Sequence, residues 1–139
     1  MGKASLWRNA CLYLLAFSAM PLSGARAQNY PPDIATATPA AFAAWRTVTP
    51  IEYRNKAWIG QLNGVSTPME RIKLRGKPFY YGSVCIPHDC GGNFVAFLIA
   101  VDGAEASGLL SSQSLDVRHR WFGAPDSEAR ALLQKKIGN

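Results

Sequence analysis

Cys85-Ile86-Pro87-His88-Asp89-Cys90 constrains this chain more than any other stretch. Two cysteines with four residues between them, a proline, a histidine and a carboxylate among those four, describe a short, stiff loop that presents one imidazole to something else. Pro87 fixes its own φ and pushes Ile86 toward an extended conformation. Gly91 and Gly92, directly after the second cysteine, are expected to give the chain the freedom to turn sharply into the next element. A loop of this kind joins two consecutive strands where the chain leaves the hydrogen-bonded ladder.

The compartment decides how the cysteines are read. Lys3 and Arg8, an apolar stretch from Ala10 to Leu22, and Ala25-Arg26-Ala27 as an A-x-A cleavage site compose a secretory signal peptide, residues 1–27, with Gln28 as the expected mature N-terminus. A membrane anchor fits less well, because the run is too short to span a bilayer and Pro21 interrupts it. Of the chain's three cysteines, Cys11 leaves with the leader, so Cys85 and Cys90 are the thiols of an exported protein. In an oxidising space two thiols so close in sequence are expected to form a disulfide.

Residues 28–139 have the length of one small domain with a single core. Of fifteen basic residues three lie in the leader, leaving twelve against nine acidic ones, a net charge of +3. That charge is too mild and too scattered to argue for nucleic acid. The densest basic group, Arg71, Lys73, Arg75 and Lys77, alternates with Ile72, Leu74 and Gly76 and reads as a solvated strand face.

Gln28 to Thr38 is rich in Pro, Ala and Thr without periodicity and reads as a flexible arm. Thr38-Pro39 then opens a short helix through Ala40, Phe42, Ala43, Trp45 and Arg46, which Pro50 ends. After a connector containing Trp58 and Gly60, Met69 to Leu74 alternates with Ile72 and Leu74 inward, a half-buried strand. Arg75-Gly76 is a tight turn, and Lys77 to Val84 returns antiparallel with Phe79 and Tyr81 on one face. The apolar run from Asn93 to Val101, between Gly91-Gly92 and Asp102-Gly103, is the candidate central strand. Ala106 to Ser111 continues the meander, and Leu115 to Phe122 adds a strand with Trp121 packed inward. A last helix runs from Pro125 to Ile137 with Asp126 and Glu128 in its first turn, Lys135 and Lys136 in its last, Gly138 as stop, and Ala129, Leu132, Leu133 and Ile137 on its apolar face. The fold class is α+β: an antiparallel sheet of about five strands with helices packed against it and a protruding disulfide-closed loop.

On the Cys-x-Pro-His-Asp-Cys loop at Cys85 to Cys90 with Gly91 after it, the chain resembles the periplasmic lysozyme inhibitors of the Ivy type, which act on vertebrate (c-type) lysozyme. The leader, the hairpin entering the loop, Gly-Leu-Leu-Ser at 108–111 and a tryptophan in the region of Trp121 support the likeness. The resemblance implies a periplasmic non-enzyme whose disulfide loop plugs the lysozyme cleft, and often a homodimer. Ile86, Pro87, His88 and Asp89 would contact the partner: His88 would insert between the two catalytic carboxylates, Asp89 would be a neighbouring hydrogen-bond partner, and Cys85 and Cys90 would be the clamp. Lysozyme is a retaining glycosidase with its carboxyl groups about 5–5.5 Å apart, a gap that one imidazole can bridge with both ring nitrogens. The family's loop commonly carries Lys where this chain has Ile86. The resemblance also permits a second target, the cell's own lytic transglycosylases.

Other readings of the same residues are weaker. Structural zinc sites pair cysteines and need a second distant pair, which is lacking; a redox role prefers C-x-x-C at a helix N-terminus. No metal or cofactor is expected. Hydrolysis by His88 and Asp89 would ask adjacent residues to act as base and orienter, with no glycine-flanked serine as nucleophile. Trp45, Trp58, Trp121, Tyr53, Tyr80 and Tyr81 could form a sugar platform of a peptidoglycan-binding module, but in so small a domain they are expected to fill the core. His119, between Arg118 and Arg120, reads as an ordinary surface residue.

Overall fold

Alternation and tight turns become a six-stranded, wholly antiparallel sheet in the computed structural model, which describes residues 29–137. The expected leader, residues 1–27, and the expected stop at Gly138 lie outside the described residues. The strands are β1 (Val65–Ser66), β2 (Glu70–Leu74), β3 (Lys77–Cys85), β4 (Asn93–Ala100), β5 (Ala106–Ser112) and β6 (Val117–Phe122), in the order β1-β3-β4-β5-β6, with β2 also paired to β3. The expected five strands are thus present, joined by the two-residue β1. β1 pairs with the end of β3 that enters the cysteine loop, Val65 opposite Cys85, while β2 pairs with its other half. The hairpin between β2 and β3 turns at Arg75 and Gly76 with φ of 51° and 76°. Two successive positive φ values are what a type I′ turn requires, and glycine supplies the second without steric cost.

The apolar run forms β4, flanked on both sides and buried on both faces, so it reads as continuous hydrophobic sequence rather than alternation. Helices cover both faces. The short helices α1 (Ile34–Ala37) and α3 (Ala57–Gly60) and the longer α2 (Pro39–Val48) lie on the first face, and α4 (Ser127–Ile137) lies on the second. On the first face Trp45 of α2 is fully buried, 6.1 Å from the Phe97 ring and 5.6 Å from Phe122, and its indole N–H donates to the Ile59 carbonyl at 2.9 Å. Gly108 of β5 makes room for that indole: a Cβ there would stand 2.7 Å from the ring. On the second face Leu133 and Ala129 pack on Phe79, Tyr81 and Leu98. The Tyr81 hydroxyl donates to the Leu132 carbonyl at 2.6 Å. Asp126 caps α4, its Oδ1 accepting from the Ala129 N–H at 2.9 Å.

Two local expectations are corrected. The arm before Thr38 is not a free segment: Pro31–Asp33 forms a 3-10 turn, α1 follows, and Ile34 is buried in the first core. Pro31 and Ile34 are buried, the Met69 N–H donates to the Asn29 carbonyl at 2.7 Å, and Asp33 Oδ2 accepts from the Tyr30 N–H at 2.9 Å, which together hold it. Thr38 does stand before α2, but its hydroxyl makes no cap and instead bonds the Tyr80 hydroxyl at 2.7 Å. Trp121 packs inward as expected, half-buried against the second core with the Arg130 guanidinium over its ring, while Phe122, on the opposite face, is fully buried in the first core. The connector after Pro50 is helical in two short pieces, Ile51–Tyr53 and α3. Among the described residues no helix is long and apolar enough to cross a membrane.

Candidate functional site

The disulfide loop sits at one pole of the sheet, between β3 and β4. Cys85 and Cys90 are bonded, their Cα atoms 5.0 Å apart. In the chain-entropy account, closing a ring this short stabilises by roughly 2 kcal/mol. Within the ring the Asp89 N–H donates to the Ile86 carbonyl at 3.1 Å, which makes Ile86-Pro87-His88-Asp89 a β-turn. Pro87 holds the second position and His88, at φ 69°, the third. Proline followed by a positive φ is the type II pattern, and that third position is normally taken by glycine or asparagine. The sharp reversal is therefore made by His88. Gly91 and Gly92 are not at positive φ, which corrects the role expected of them. Gly92 matters for space instead: a Cβ there would meet the Gln113 side chain at 2.9 Å.

The turn projects its side chains outward. Pro87, His88 and Asp89 are exposed and Ile86 is half-buried. Among the described residues His88 has no hydrogen-bond or ionic partner, so both ring nitrogens are uncommitted. A non-glycine residue in the left-handed region is uncommon, and such residues cluster where a side chain must be aimed. Asp89 does not orient the imidazole. Its Oδ2 accepts from the Asn93 amide at 2.6 Å, so the pair needed for a base and its orienter is not formed. The disulfide likewise ties up both thiolates that a zinc site would use.

Asn93 is the residue that the sequence reading missed. It heads β4 with no exposed surface, and its Oδ1 accepts from Ser112 Oγ at 2.5 Å, from Ser114 Oγ at 2.7 Å and from the Ser114 N–H at 3.0 Å. The β5–β6 turn thereby becomes the floor of the loop, a seat reinforced by the Gln113 N–H donating to the Gly92 carbonyl at 2.8 Å. The available signal was an asparagine opening an otherwise apolar run. The aromatic residues weighed as a sugar platform lie elsewhere: Trp45, Tyr53, Tyr80 and Tyr81 are buried, and Trp58 and Trp121 are half-buried. His119 is exposed on the edge strand β6, on the surface as expected.

Fold and site together define a loop-presenting protein: a sheet with helices on both faces, whose pole carries an imidazole on a covalently closed turn, with no base and orienter assembled around it among the described residues. The chain belongs to the family of inhibitors of vertebrate lysozyme (Ivy), whose model matches residues 42–136, from α2 through the loop to the end of α4. It is 28% identical over 110 residues to an inhibitor of vertebrate lysozyme from Pseudomonas aeruginosa, covering 71% of this chain and 72% of that one. An uncharacterized protein of the same bacterium is 26% identical over 140 aligned positions, covering 93% and 90% of the two chains. An uncharacterized protein of Yersinia pestis is 27% identical over 109 residues, 71% of each.

Proposed function

We propose that this protein inhibits c-type lysozyme by inserting its disulfide loop into the enzyme's active-site cleft, with the His88 imidazole between the two catalytic carboxylates. The observation that carries the reading is His88 itself, exposed at the apex of a closed ring at φ 69°, with neither ring nitrogen engaged among the described residues. Two carboxyl groups about 5–5.5 Å apart match the two nitrogens of one imidazole, and bonds to an ionised carboxylate are the stronger kind. A loop ordered before binding avoids the cost of about 0.5–1.5 kcal/mol for each side chain otherwise immobilised on association. Ile86 and Pro87 flank the histidine as apolar contacts, and the exposed edge of the Asp89 carboxylate faces the same partner. Occupation of the cleft excludes the glycan, so inhibition needs no catalytic step by the inhibitor.

Export fits this role. Residues 1–27 serve as a cleaved leader, and the mature protein, beginning at Gln28, works in the periplasm as a single domain, where a lysozyme entering from outside would meet it. The test is the lysis of bacterial cell walls by a c-type lysozyme titrated with the mature protein. The expected result is loss of lysis at stoichiometric inhibitor; undiminished lysis overturns the reading.

A further inference from the structure

We propose that Asn93 is a positioning residue that sets the presentation of His88 through Asp89, as a second clamp independent of the disulfide. The inference rests on the reading of His88 as the inserted group. The disulfide joins the two ends of the ring but leaves its tilt over the sheet unspecified. Rotation at Cys85 and Cys90 would swing the apex without stretching the bond between them. Asn93 removes that freedom. Its Nδ2 holds the Asp89 carboxylate at 2.6 Å, and Asp89 is covalently next to His88. Its backbone closes the loop root twice more, the Asn93 N–H donating to the Asp89 carbonyl and the Ile86 N–H to the Asn93 carbonyl, each at 3.2 Å.

The amide can face only one way. Three donors converge on Oδ1, from Ser112 and from Ser114 twice, while a carboxylate faces Nδ2. A flipped amide would set its NH2 against the Ser114 N–H and its oxygen against a carboxylate, losing both of those bonds, since only the serine hydroxyls can turn round to accept. Asn93 is also fully buried, so its own end of each bond is shielded from water, and a satisfied polar network of this kind rigidifies. The path from β5–β6 turn to Asn93 to Asp89 to His88 is thus continuous. It gives the exposed carboxylate a structural task that its place in the loop sequence did not suggest.

The experiment is a cycle on the full mature protein, read by the inhibition constant against c-type lysozyme and by hydrogen exchange of the residue 89 amide that closes the turn on Ile86. Asp89→Ala and Asn93→Ala are each made with the disulfide intact and in the Cys85→Ser, Cys90→Ser background. Asp89 is exposed, so its variant keeps the cycle readable should Asn93→Ala not fold. With the disulfide intact, loss of the Asn93–Asp89 bond frees only the tilt of the loop, whereas without it the ring opens as well, so the loss of inhibition is expected to be about tenfold greater in the disulfide-free background, a coupling of about 1.4 kcal/mol, as for members of one network. The turn amide should exchange faster in both variants. Asp89→Asn, whose side-chain oxygen can still accept from Asn93, is expected to restore slow exchange and most of the inhibition. Equal losses in the two backgrounds with no recovery by Asp89→Asn would leave Asp89 its contact with the partner alone, with no positioning role, and overturn the proposal. So would unaltered amide exchange in Asp89→Ala. If His88→Ala leaves inhibition intact, the insertion reading fails separately, and the positioning role is then decided by the exchange rates alone.

Discussion

His88 combines two roles that different substitutions separate. Its side chain is exposed and without a partner among the described residues, so truncating it costs the folded protein little, within about 0.5 kcal/mol as for other surface changes. Its backbone, at φ 69°, is in a region that costs an L residue roughly 1–2 kcal/mol. His88→Ala keeps that backbone cost and removes only the imidazole. In the complex each ring nitrogen would meet a carboxylate, and a hydrogen bond to a charged group contributes about 1.5–3 kcal/mol. The inhibition constant of His88→Ala should therefore rise at least tenfold, about 1.4 kcal/mol, with the melting temperature unmoved. His88→Gly relieves the backbone as well, because glycine is the preferred third residue of a type II turn. Relief of about 1 kcal/mol would raise the melting temperature by roughly 4 °C in a domain of this size. The Gly variant should nevertheless inhibit as poorly as the Ala variant. Cell-wall lysis read by turbidity gives the constants, and calorimetry the melting temperatures. A His88→Ala protein of parental potency would refute the insertion argument. A His88→Gly protein less stable than the parent would refute the strain argument while leaving insertion standing.

Three further perturbations probe the frame and the loop. Gly108→Ala would drive a methyl into the Trp45 indole and is expected to lower unfolding free energy in denaturant by about 1–3 kcal/mol through overpacking; an unchanged midpoint would contradict the packing. Burial raises the Tyr81 phenol above its ordinary value, so its deprotonation is harder in the folded chain; stability should be full below about pH 10 and fall as pH rises beyond it, and Tyr81→Phe should flatten that slope in denaturation curves taken from pH 9 to 11. Ile86→Lys adds an ammonium beside the loop apex, which in the proposed complex would face the carboxylates of the cleft. It should tighten inhibition by about two- to fivefold at low salt, with the gain fading as ionic strength rises; equal potency at all salt concentrations would place residue 86 away from the carboxylates.

Much of the fold was legible because its signals are local. Alternation across Ile72 and Leu74, the Arg75-Gly76 turn, the unbroken apolar run of β4 and the acidic start of α4 each follow from neighbours in sequence. The loop was legible for the same reason, since its cysteines, proline and histidine lie within six residues. What was hidden depends on distance or on a single contact. Ile34 organises the segment before α2 by packing into the first core, which the composition around it does not announce. The donors to Asn93 Oδ1 lie 19 and 21 positions later, so the sequence around it does not reveal why an amide opens the most apolar strand. The glycines after the loop drew attention to backbone freedom, whereas the turn required positive φ one place after Pro87, at the histidine. A residue tolerated there against its own steric preference was the stronger functional mark, and only the backbone angle shows it.

The central claim is occupation of the glycan cleft, and competition tests it most directly. Binding of the mature protein to a c-type lysozyme would be measured by calorimetry at increasing concentrations of an N-acetylglucosamine oligomer that fills the same cleft. The account predicts an apparent dissociation constant that rises in proportion to the oligomer, with no ternary complex. An affinity independent of the oligomer would contradict it, since the loop would then bind outside the cleft.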